Sequence, residues 1–316
     1  MLMKEKEFVF GPVPSRRLGF SLGVDIIPRK HCTFDCIYCQ VGKTTAKDVE
    51  RRSFVDPDLV VKQVIERVAK GGRIDFVSLS GSGEPTLNAD IGGIIAALKR
   101  RISIPLAVIT NGSLLFLEDV RRDLSSADVV LPSLDAASDE VFERINRPHP
   151  SLSLSRIVEG LKAFASEYRG KVWLELMLIK NINDASQEVE MLRQIVRNIP
   201  ADKIHLNTVA RPPLEETAMG LERAEMESIA RRFGTGCEVI GSFKGPVATA
   251  SGKEWEESLV DTVKRRSLSA EDVVRTTGLS LSEAKERLDR LVRAHKLKAT
   301  RFGGKLFYTA EEEKIS

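Results

Sequence analysis

The chain has 316 residues, of which 42% are hydrophobic and 29% are charged, and its formal net charge at pH 7 is +3. This composition is typical of a soluble globular protein with one large core and room for a small second domain. A net charge this small does not by itself indicate any class of partner. Because no apolar run is long enough for a membrane span and the N-terminus lacks the apolar core of a signal peptide, we expect a cytoplasmic protein without a membrane partner.

Between residues 20 and 242, short apolar runs rich in β-branched residues alternate with segments of helical periodicity. The strand-like runs are LGVDIIP, IDFVSLS, PLAVIT, ADVVLPSL, KVWLELMLI, DKIHLNTV and CEVIGSF. This alternation predicts an α/β fold with a parallel sheet covered by helices, and the number of repeats fits a partial (β/α)6-type TIM-like barrel within residues 1–250. Chemistry in such folds gathers in the loops after the strands, and here those loops are rich in glycine and polar residues.

Three of the four cysteines lie in the segment CTFDCIYCQ, which follows the first of these strands. Clustered cysteines in a cytoplasmic protein indicate a metal site or a catalytic group, because disulfides rarely persist there. A structural zinc site or an electron-transfer cluster normally uses four protein ligands, and the fourth cysteine, Cys237, lies far along the chain. Cys32, Cys36 and Cys39 can instead bind three irons of a [4Fe–4S] cube and leave the fourth iron free. A zinc site and the absence of any metal remain alternatives.

The segment CTFDCIYC, with Tyr38 before its last cysteine, resembles the signature of the radical S-adenosylmethionine (radical SAM) enzymes. SGSGEP after the second strand is similar to the family's glycine–glutamate–proline motif, and VLPSLDA at the fourth strand is similar to the segment that contacts the cofactor. The resemblance implies a [4Fe–4S] cluster on the three cysteines, S-adenosylmethionine on the unique iron, and an electron donor such as flavodoxin or ferredoxin. Cleavage of the cofactor would then give a 5′-deoxyadenosyl radical that abstracts hydrogen from a substrate.

Further site residues follow from the same resemblance. Gly83 and Glu84 would meet the amino group of the methionine moiety, although Glu84 could also be a solvated acid or a helix cap. Ser133 and Asp135 would contact the ribose and carboxylate. The cofactor-binding residues that we expect are Tyr38, Gly83, Glu84, Asn111, Ser133, Asp135 and Asn207.

Several polar residues on the later strands carry less specific signals. Glu175 lies among apolar residues and needs a partner if it is buried, either the cofactor, the substrate or a basic side chain. His205 and Asn207 alternate along one strand and therefore share a face. We expect His205 to be a satisfied core residue, whereas Asn207 and Arg211 are candidates for adenine or substrate contacts. Cys237 is expected to be a buried structural cysteine, which leaves no ligands for a second cysteine-bound cluster.

The N-terminal segment GPVPSRRLGFSLGVDIIP resembles a subgroup of iron–sulfur oxidoreductases related to the enzymes of wybutosine synthesis on transfer RNA. Within this segment, Arg16 and Arg17 could either cap the bottom of the barrel or approach the site. The sequence pattern does not decide between these two positions.

Residues 256–316 have a different pattern, which predicts a second domain. EESLVDTVKRR is typical of a short helix, a second helix is expected between an N-cap at Ser269 and Gly278, and SLSEAKERLDRLVRAHK predicts a third. Gly303 and Gly304 stand between two alternating strands, which predicts a hairpin. Three helices followed by a hairpin are typical of a winged helix-turn-helix domain.

Basic residues occur between positions 290 and 310 without one acidic residue. They are Arg290, Arg293, Lys296, Lys298, Arg301 and Lys305. Such a segment can bind the phosphates of nucleic acids, form an ordinary solvated face, or belong to a domain that binds proteins.

The leading hypothesis is a radical SAM enzyme that modifies RNA, with tRNA as the expected type. The alternatives are a radical SAM enzyme for a protein, peptide or small molecule, and a transcription factor that senses redox state or a metabolite through its cluster.

Overall fold

The computed structural model of the chain describes residues 7–241 and 254–310. The strands in chain order are β1 (Val9–Ser15), β2 (Gly19–Val24), β3 (His31–Cys32), β4 (Ala46–Lys47), β5 (Phe76–Leu79), β6 (Leu106–Thr110), β7 (Val129–Pro132), β8 (Lys171–Leu178), β9 (Lys203–Thr208), β10 (Cys237–Val239), β11 (Leu268–Ser269), β12 (Leu297–Phe302) and β13 (Lys305–Ala310). The helices are α1 (Pro57–Ala69), α2 (Ile91–Lys99), α3 (Glu118–Leu124), α4 (Asp139–Asn146), α5 (Leu154–Glu167), α6 (Ser186–Val196), α7 (Arg223–Phe233), α8 (Glu254–Arg265), α9 (Ala270–Thr277) and α10 (Leu281–Arg293), with a short 3-10 helix at Pro85–Leu87.

The large sheet is mostly parallel and has the strand order β1-β2-β5-β6-β7-β8-β9-β10. Strands β2 and β5 to β10 run in the same direction, and only β1 is antiparallel to its neighbour. Within the described residues the two outermost strands do not pair, so the sheet is an open barrel. The α/β fold with a parallel sheet is therefore confirmed. The short strand β10 adds a seventh parallel strand at the edge, beyond the six of the expected pattern.

The two faces of the sheet have different partners, because successive side chains on a strand point to opposite sides. On β8, Leu174, Leu176 and Leu178 are fully buried in the main core, which the surrounding helices complete. Trp173 and Glu175 lie on the other, inner face of the barrel. Burial of an apolar side chain stabilises a fold by about 1.5–3 kcal/mol, so the outer leucines anchor this strand while its inner residues are free for a site.

The turn between β1 and β2 folds against the inner face of the barrel. Ser15 Oγ accepts hydrogen bonds from the backbone N–H groups of Arg17 at 3.4 Å and Leu18 at 3.2 Å, which holds the turn. Leu18 is 2% exposed and packs with Val129 and Leu131 of β7. The turn therefore places Arg16 and Arg17 on the inner side of the barrel. The sequence pattern had left their position undecided.

The described part of the C-terminal region consists of α8 to α10 and a three-stranded antiparallel sheet of order β11-β13-β12. Ser269 caps α9 through a capping box, and Gly278 ends it with a left-handed φ of 74°, as expected. Gly303 and Gly304 have φ values of 54° and 74° and form the tight turn of the expected hairpin. The region has a hydrophobic cluster of its own. Residues 250–253 of the expected domain boundary lie outside the described residues.

The C-terminal region is fastened to the barrel by hydrogen bonds and by apolar contact. Arg265 Nε donates to Asp25 Oδ2 at 2.9 Å, and Arg266 Nη2 donates to the carbonyl oxygen of Pro14 at 2.8 Å. Phe302, at the tip of the β12–β13 hairpin, packs against an apolar cluster at the mouth of the barrel. We call this the rim cluster; its members are Ile37, Ile145, Ile179, Val209 and Ala218. None of the described helices is long and apolar enough to cross a membrane.

Candidate active site

The segment 32–39, which we call the cysteine loop, is held by backbone hydrogen bonds to the end of α4. The N–H groups of Asp35 and Ile37 donate to the carbonyl oxygens of Asn146 and Ile145 at 2.9 and 3.0 Å. Its three cysteines are free of disulfides. The loop therefore has a defined backbone that leaves its thiols free to bind a metal centre.

Each thiol sulfur of the cysteine loop has an N–H donor nearby. The pairs are Lys30 Nζ with Cys39 Sγ at 3.2 Å, Asn146 Nδ2 with Cys36 Sγ at 3.5 Å, and Asn111 Nδ2 with Cys32 Sγ at 3.7 Å. Donors of this kind stabilise the negative charge of thiolate ligands and tune the potential of an iron–sulfur cluster. Of the three donors, only Asn111 is among the expected cofactor-binding residues.

Burial suppresses ionisation of two of these thiols in the protein alone. Desolvation, followed by the charge of Glu84, raises the pKa of Cys32 to about 12. Desolvation, followed by the charge of Asp135, raises the pKa of Cys36 well above its ordinary value. Thiolate charge at these positions therefore requires a compensating cation, which the irons of a cluster provide.

The arrangement of the three sulfurs is compatible with a cluster. Among residues 7–241 and 254–310, no three His, Cys, Asp or Glu side chains are arranged to hold one metal ion together. In a [4Fe–4S] cube each thiolate binds a different iron, so the three sulfurs need not converge on one point. A cluster on Cys32, Cys36 and Cys39 stays a prediction.

Glu84 is 2% exposed and joins the loops that follow β5 and β6. Its Oε1 accepts hydrogen bonds from Thr86 N at 3.1 Å, Thr86 Oγ1 at 2.6 Å and Thr110 Oγ1 at 2.6 Å, and its Oε2 accepts from Asn111 N at 2.7 Å. Burial raises the pKa of Glu84, and these four donors oppose that increase. Glu84 is also the N-cap of the 3-10 helix, as the helix-cap alternative expected. The contact with a cofactor amino group stays a prediction.

Gly83 brings the loop after β5 into direct contact with the residue that precedes the first cysteine. A Cβ atom at this position would lie 1.9 Å from the carbonyl oxygen of His31 and 2.6 Å from Ile27 Cγ2. Glu84 N also donates to that carbonyl oxygen at 3.1 Å. The glycine is therefore required for close packing of two protein segments, in addition to the cofactor contact that we expect of it.

Asp135 is the acceptor at the centre of a second buried network. Its Oδ2 accepts from Tyr38 Oη at 2.5 Å and Asn146 Nδ2 at 2.9 Å, and its Oδ1 accepts from Met177 N at 3.1 Å. Burial raises the pKa of Asp135. Since Asn146 also donates to Cys36, this one amide connects the cysteine loop with the ends of β7 and β8.

One cavity brings together three of the expected cofactor residues, Asn111, Ser133 and Asp135. Its other lining residues are Phe34, Leu134, Ala136, Phe142, Asn146, Leu154 and Ile157. Asn207 is not among them. It is 3% exposed on β9, and its Oδ1 accepts from the backbone N–H of Thr208 at 3.0 Å. The structure therefore separates Asn207 from the other expected residues that line this cavity.

Glu175 lies on the inner face of the barrel, next to Ser133 of the site. It forms a parallel β-bridge with Ser133, and its carboxylate accepts a hydrogen bond from Arg17 Nη1. The alternative of structural pairing with a basic side chain is therefore confirmed. Its neighbour on β9, His205, is 2% exposed, but Nδ1 of this histidine has no hydrogen-bond partner among the described residues. The expectation of a satisfied core histidine is wrong in this respect; the ring packs against Trp173 of β8, with the two ring centroids 5.5 Å apart.

Two other residues have structural contacts. Arg211 donates to the carbonyl oxygen of Ser267 at 2.8 Å and pairs with Asp272 Oδ2 at 3.2 Å, so it fastens the C-terminal region to the barrel. Cys237 is partly buried against the main core at the start of β10. Burial raises the pKa of its thiol to about 12, in agreement with a structural role.

Comparison with known proteins identifies the family of the chain. Residues 26–195 match the model of the radical SAM superfamily. A UPF0026 protein of Methanocaldococcus jannaschii is 39% identical over 237 residues, which are 74% of this chain and 73% of that protein. A radical SAM methyltransferase from Sphaerobacter thermophilus has a similar fold, with a TM-score of 0.52 at 19% identity over 69% of this chain and 65% of that one. The chain therefore belongs to the radical SAM superfamily and, within it, to the UPF0026 proteins.

Other relatives differ in length or are more distant. A protein of Brachyspira hyodysenteriae named GTPase Obg is 35% identical over 288 residues, and this chain spans 90% of its own length but only 42% of that protein. A probable dual-specificity RNA methyltransferase RlmN of Shouchella clausii is 25% identical over 233 residues, 69% of this chain and 62% of that protein. Radical SAM proteins are enzymes that use a [4Fe–4S] cluster and S-adenosylmethionine, so both cofactors expected from the sequence are confirmed.

Proposed function

We propose that Cys32, Cys36 and Cys39 hold the [4Fe–4S] cluster and that the enzyme modifies RNA. When bound, the cluster and S-adenosylmethionine supply a 5′-deoxyadenosyl radical that abstracts hydrogen from the substrate. The reducing electron comes from a donor such as flavodoxin or ferredoxin. The expected relation to the enzymes of wybutosine synthesis belongs to this proposal and makes tRNA the first RNA to test.

The chain's own residues bind and orient the cofactors. Lys30, Asn111 and Asn146 donate to the cysteine sulfurs and stabilise their negative charge. Glu84 accepts a hydrogen bond from the backbone of Asn111 and holds it in place. Gly83 permits the loop after β5 to approach the cysteine loop closely. In this proposal the methionine moiety meets Gly83 and Glu84.

A second set of residues meets the ribose and the carboxylate of the cofactor in this proposal. Ser133 and Asp135 lie after β7, and Tyr38 is fixed by its hydrogen bond to Asp135. These residues contact the ribose and carboxylate, while Asn207 on the inner face is available to the adenine or the substrate. The main core behind the loops excludes water from this side of the site.

The topology of the C-terminal region supports a winged helix-turn-helix domain. Its element order is α8, β11, α9, α10 and the β12–β13 hairpin, and β13 lies between β11 and β12 in the small sheet. In such a domain α10 is the recognition helix and the hairpin is the wing. Both elements meet nucleic acid phosphates in the known modules of this type.

The position of the hairpin is the observation that carries the RNA proposal. Phe302 packs against the rim cluster, so the hairpin lies beside the mouth of the barrel. Arg301 and Lys305 flank Phe302 and the turn, and both are exposed. The other four basic residues of this acid-free segment, Arg290, Arg293, Lys296 and Lys298, are exposed as well. RNA bound along this surface would therefore present a nucleotide to the site, and the similarity to an RNA methyltransferase supports the same substrate class.

Titration with tRNA tests this proposal. We expect salt-dependent binding of tRNA by the reconstituted protein, and an increased rate of 5′-deoxyadenosine formation when tRNA is added. The double variant Lys298→Glu/Arg301→Glu should weaken tRNA binding by about tenfold or more, because it reverses two charges that meet phosphates. The matched control is Arg100→Glu/Arg101→Glu, which reverses two exposed charges after α2, on the side of the barrel away from the mouth.

Two outcomes would contradict the RNA proposal. One is an absence of salt-dependent tRNA binding, and the other is a Lys298→Glu/Arg301→Glu variant that binds tRNA as the wild type does. In either case the radical chemistry would be directed to a protein, a peptide or a small molecule. A pull-down that enriches protein or peptide instead of nucleic acid would identify the first two of these.

A further inference from the structure

Four arginines lie together between the inner face of the barrel and the C-terminal region. They are Arg16, Arg17, Arg211 and Arg266, which we call the arginine cluster. Arg17 and Arg211 lower the pKa of Arg16, and Arg16, Arg17 and Arg211 lower the pKa of Arg266. The acids that act on the cluster are Glu175 and Asp272. His205 adds no charge at neutral pH, because desolvation lowers its pKa to about 4. The cluster therefore has two positive charges in excess of its acids.

Three members of the arginine cluster have partners within the protein. Arg17 pairs with Glu175, and Arg211 pairs with Asp272. Arg266 Nη2 donates to the carbonyl oxygen of Pro14. By contrast, the guanidinium of Arg16 has neither a hydrogen bond nor an ion pair anywhere in the described part of the chain.

Two further polar groups beside the arginine cluster lack partners. Ser267 is 1% exposed and its Oγ makes no hydrogen bond with the described residues, although its carbonyl oxygen binds Arg211. His205 Nδ1 is likewise buried without a partner among the described residues, and its ring lies within the fields of Glu175 and Arg17. Buried polar groups are nearly always hydrogen-bonded to protein, ligand or water, so these two buried atoms beside the partly exposed Arg16 point to a polar group bound at the cluster.

The burial of the arginines indicates which charge the ligand should have. Burial, together with the charges of Arg17 and Arg211, lowers the pKa of Arg16 to about 10. The pKa of Arg266 is also lowered, again mainly by burial. Guanidinium groups that lose water and gain no anion are unfavourable, whereas their planar N–H groups bind phosphate well. An anion with two negative charges would neutralise the excess.

We propose that the arginine cluster binds a phosphate group of the substrate, with Arg16 as the arginine whose hydrogen bonds that phosphate completes. Arg16 is partly exposed, so a substrate can reach it from solvent. The proposal goes beyond the function proposed above and does not depend on RNA as the substrate. It adds a phosphate-bearing substrate held on the inner face of the barrel.

The location of the arginine cluster is suited to positioning a substrate. Arg17 binds Glu175, and the backbone of Glu175 is bridged to that of Ser133, one of the expected cofactor residues. The same carboxylate contributes to the pKa of Asp135. A phosphate held by the cluster would therefore place the remainder of the substrate on the inner face next to the cofactor residues.

Binding of inorganic phosphate tests this inference without any turnover. The full-length reconstituted protein with S-adenosylmethionine, without reductant or RNA, is titrated with phosphate by calorimetry at constant ionic strength, with chloride as the balancing anion. We expect saturable binding that Arg16→Gln weakens by about tenfold or more, since charge-assisted hydrogen bonds are lost. The control Arg100→Gln, which removes an exposed arginine after α2, should bind phosphate as the wild type does.

A melting measurement separates loss of the site from loss of the fold. In chloride, Arg16→Gln should melt no lower than the wild type, because the Arg16 guanidinium has no partner to lose among the described residues. In phosphate, only the wild type and Arg100→Gln should be stabilised. A wild type that does not bind phosphate, a variant that binds it equally well, or Arg16-dependent binding of malonate without binding of phosphate would each overturn the proposal.

A tRNA titration of Arg16→Gln then identifies the source of the phosphate. A parallel loss of tRNA and phosphate affinity supports a phosphate of the RNA backbone. Unchanged tRNA affinity with lost phosphate affinity supports a small phosphorylated substrate. Because phosphate binding is measured first and without RNA, failure of the RNA proposal is distinguishable from failure of this one.

Discussion

The hydroxyl of Tyr38 donates a 2.5 Å hydrogen bond to Asp135 Oδ2 and thereby joins the cysteine loop to the end of β7. The two residues are 97 positions apart in the chain. Asn146 shares the same carboxylate oxygen and also donates to Cys36. The position of the second cysteine therefore depends on a buried acid that is itself held by a tyrosine.

Tyr38→Phe should weaken this connection. Because it removes a hydrogen bond to a buried carboxylate, we expect a loss of about 1.5–3 kcal/mol in the free energy of unfolding and less iron retained after reconstitution. The control is Tyr168→Phe, which removes the hydrogen bond to the carbonyl oxygen of Ala127 at 2.6 Å, remote from the cysteine loop. It should cost about 1 kcal/mol and leave the iron content unchanged. Equal iron retention in both variants would contradict the role of Tyr38.

Gly83→Ala should disturb the packing of the loop after β5 on the cysteine loop. The added methyl would overlap the carbonyl oxygen of His31, so the backbone must shift, at a cost of about 1–3 kcal/mol. We also expect a clear loss of affinity for S-adenosylmethionine, measured by equilibrium binding.

A second glycine-to-alanine change serves as the control for Gly83. A Cβ atom on Gly93, within α2, would meet nothing within 4 Å. Gly93→Ala should therefore stabilise the protein by about 0.5–1 kcal/mol, because alanine is the better helix former. If Gly83→Ala behaved like Gly93→Ala, the close approach of the two loops would not matter for the site.

Local sequence patterns were sufficient for the parallel sheet and for the radical SAM superfamily. The apolar runs and the spacing of Cys32, Cys36 and Cys39 depend on residues that are close together in the chain, so they are visible without a structure. Ser269 and Gly278 were also predicted correctly, because helix caps are local signals.

Three buried or loop residues of the site carry no sequence signal, and two of them make contacts with residues far along the chain. Asn146 lies 110 positions from Cys36, at the end of a helix with no motif of its own. Lys30 stands within an ordinary polar loop, and only the fold directs its ammonium group to Cys39. Asn183 is fully buried, and its amide donates to the carbonyl oxygens of Asp135 and Met177. The polar loop that contains Asn183 does not predict this role.

The sequence pattern also did not show whether Arg16 and Arg17, at the β1–β2 turn, cap the bottom of the barrel or approach the site. A hairpin turn normally lies on the surface, where arginines are solvated. Here Leu18 packs on the inner face of the barrel, and the neighbouring Arg17 pairs with Glu175, which lies 158 positions away in the chain.

The Arg17–Glu175 pair should be costly to break from either side. The two side chains are 19% and 10% exposed, so removal of one partner leaves a poorly hydrated charge. We expect Arg17→Met and Glu175→Leu each to lower the free energy of unfolding by about 3 kcal/mol, and the double variant to lose clearly less than the sum. Urea unfolding of all four proteins measures this coupling, and additive losses would contradict it.

His205 should make the fold sensitive to acid. Above pH 6.5, the ordinary pKa of histidine, the ring is neutral in both folded and unfolded states and has no effect on pH dependence. Between pH 6.5 and about 4, the unfolded state binds a proton that the folded state does not, because burial lowers the folded pKa to about 4. Stability therefore falls as the pH falls through this window, by about 2 kcal/mol from this residue.

Comparison with His205→Gln isolates this contribution from that of the carboxylates. Urea unfolding of the variant should lose about 2 kcal/mol less than the wild type between pH 6.5 and 4, and the two should have parallel profiles above pH 6.5. Parallel profiles over the whole range would show that the ring is protonated as easily in the fold as in the unfolded chain.

The most direct test of the central claim is the formation of 5′-deoxyadenosine from S-adenosylmethionine by the anaerobically reconstituted, dithionite-reduced protein, compared between Cys36→Ala and Cys237→Ala. Both variants remove one of the four free cysteines. The account predicts that Cys36→Ala loses the cluster and the product, while Cys237→Ala, altered at the edge strand β10, retains both. Product formation by Cys36→Ala at the wild-type rate, or its loss in Cys237→Ala with the fold intact, would contradict the assignment of the cysteine loop.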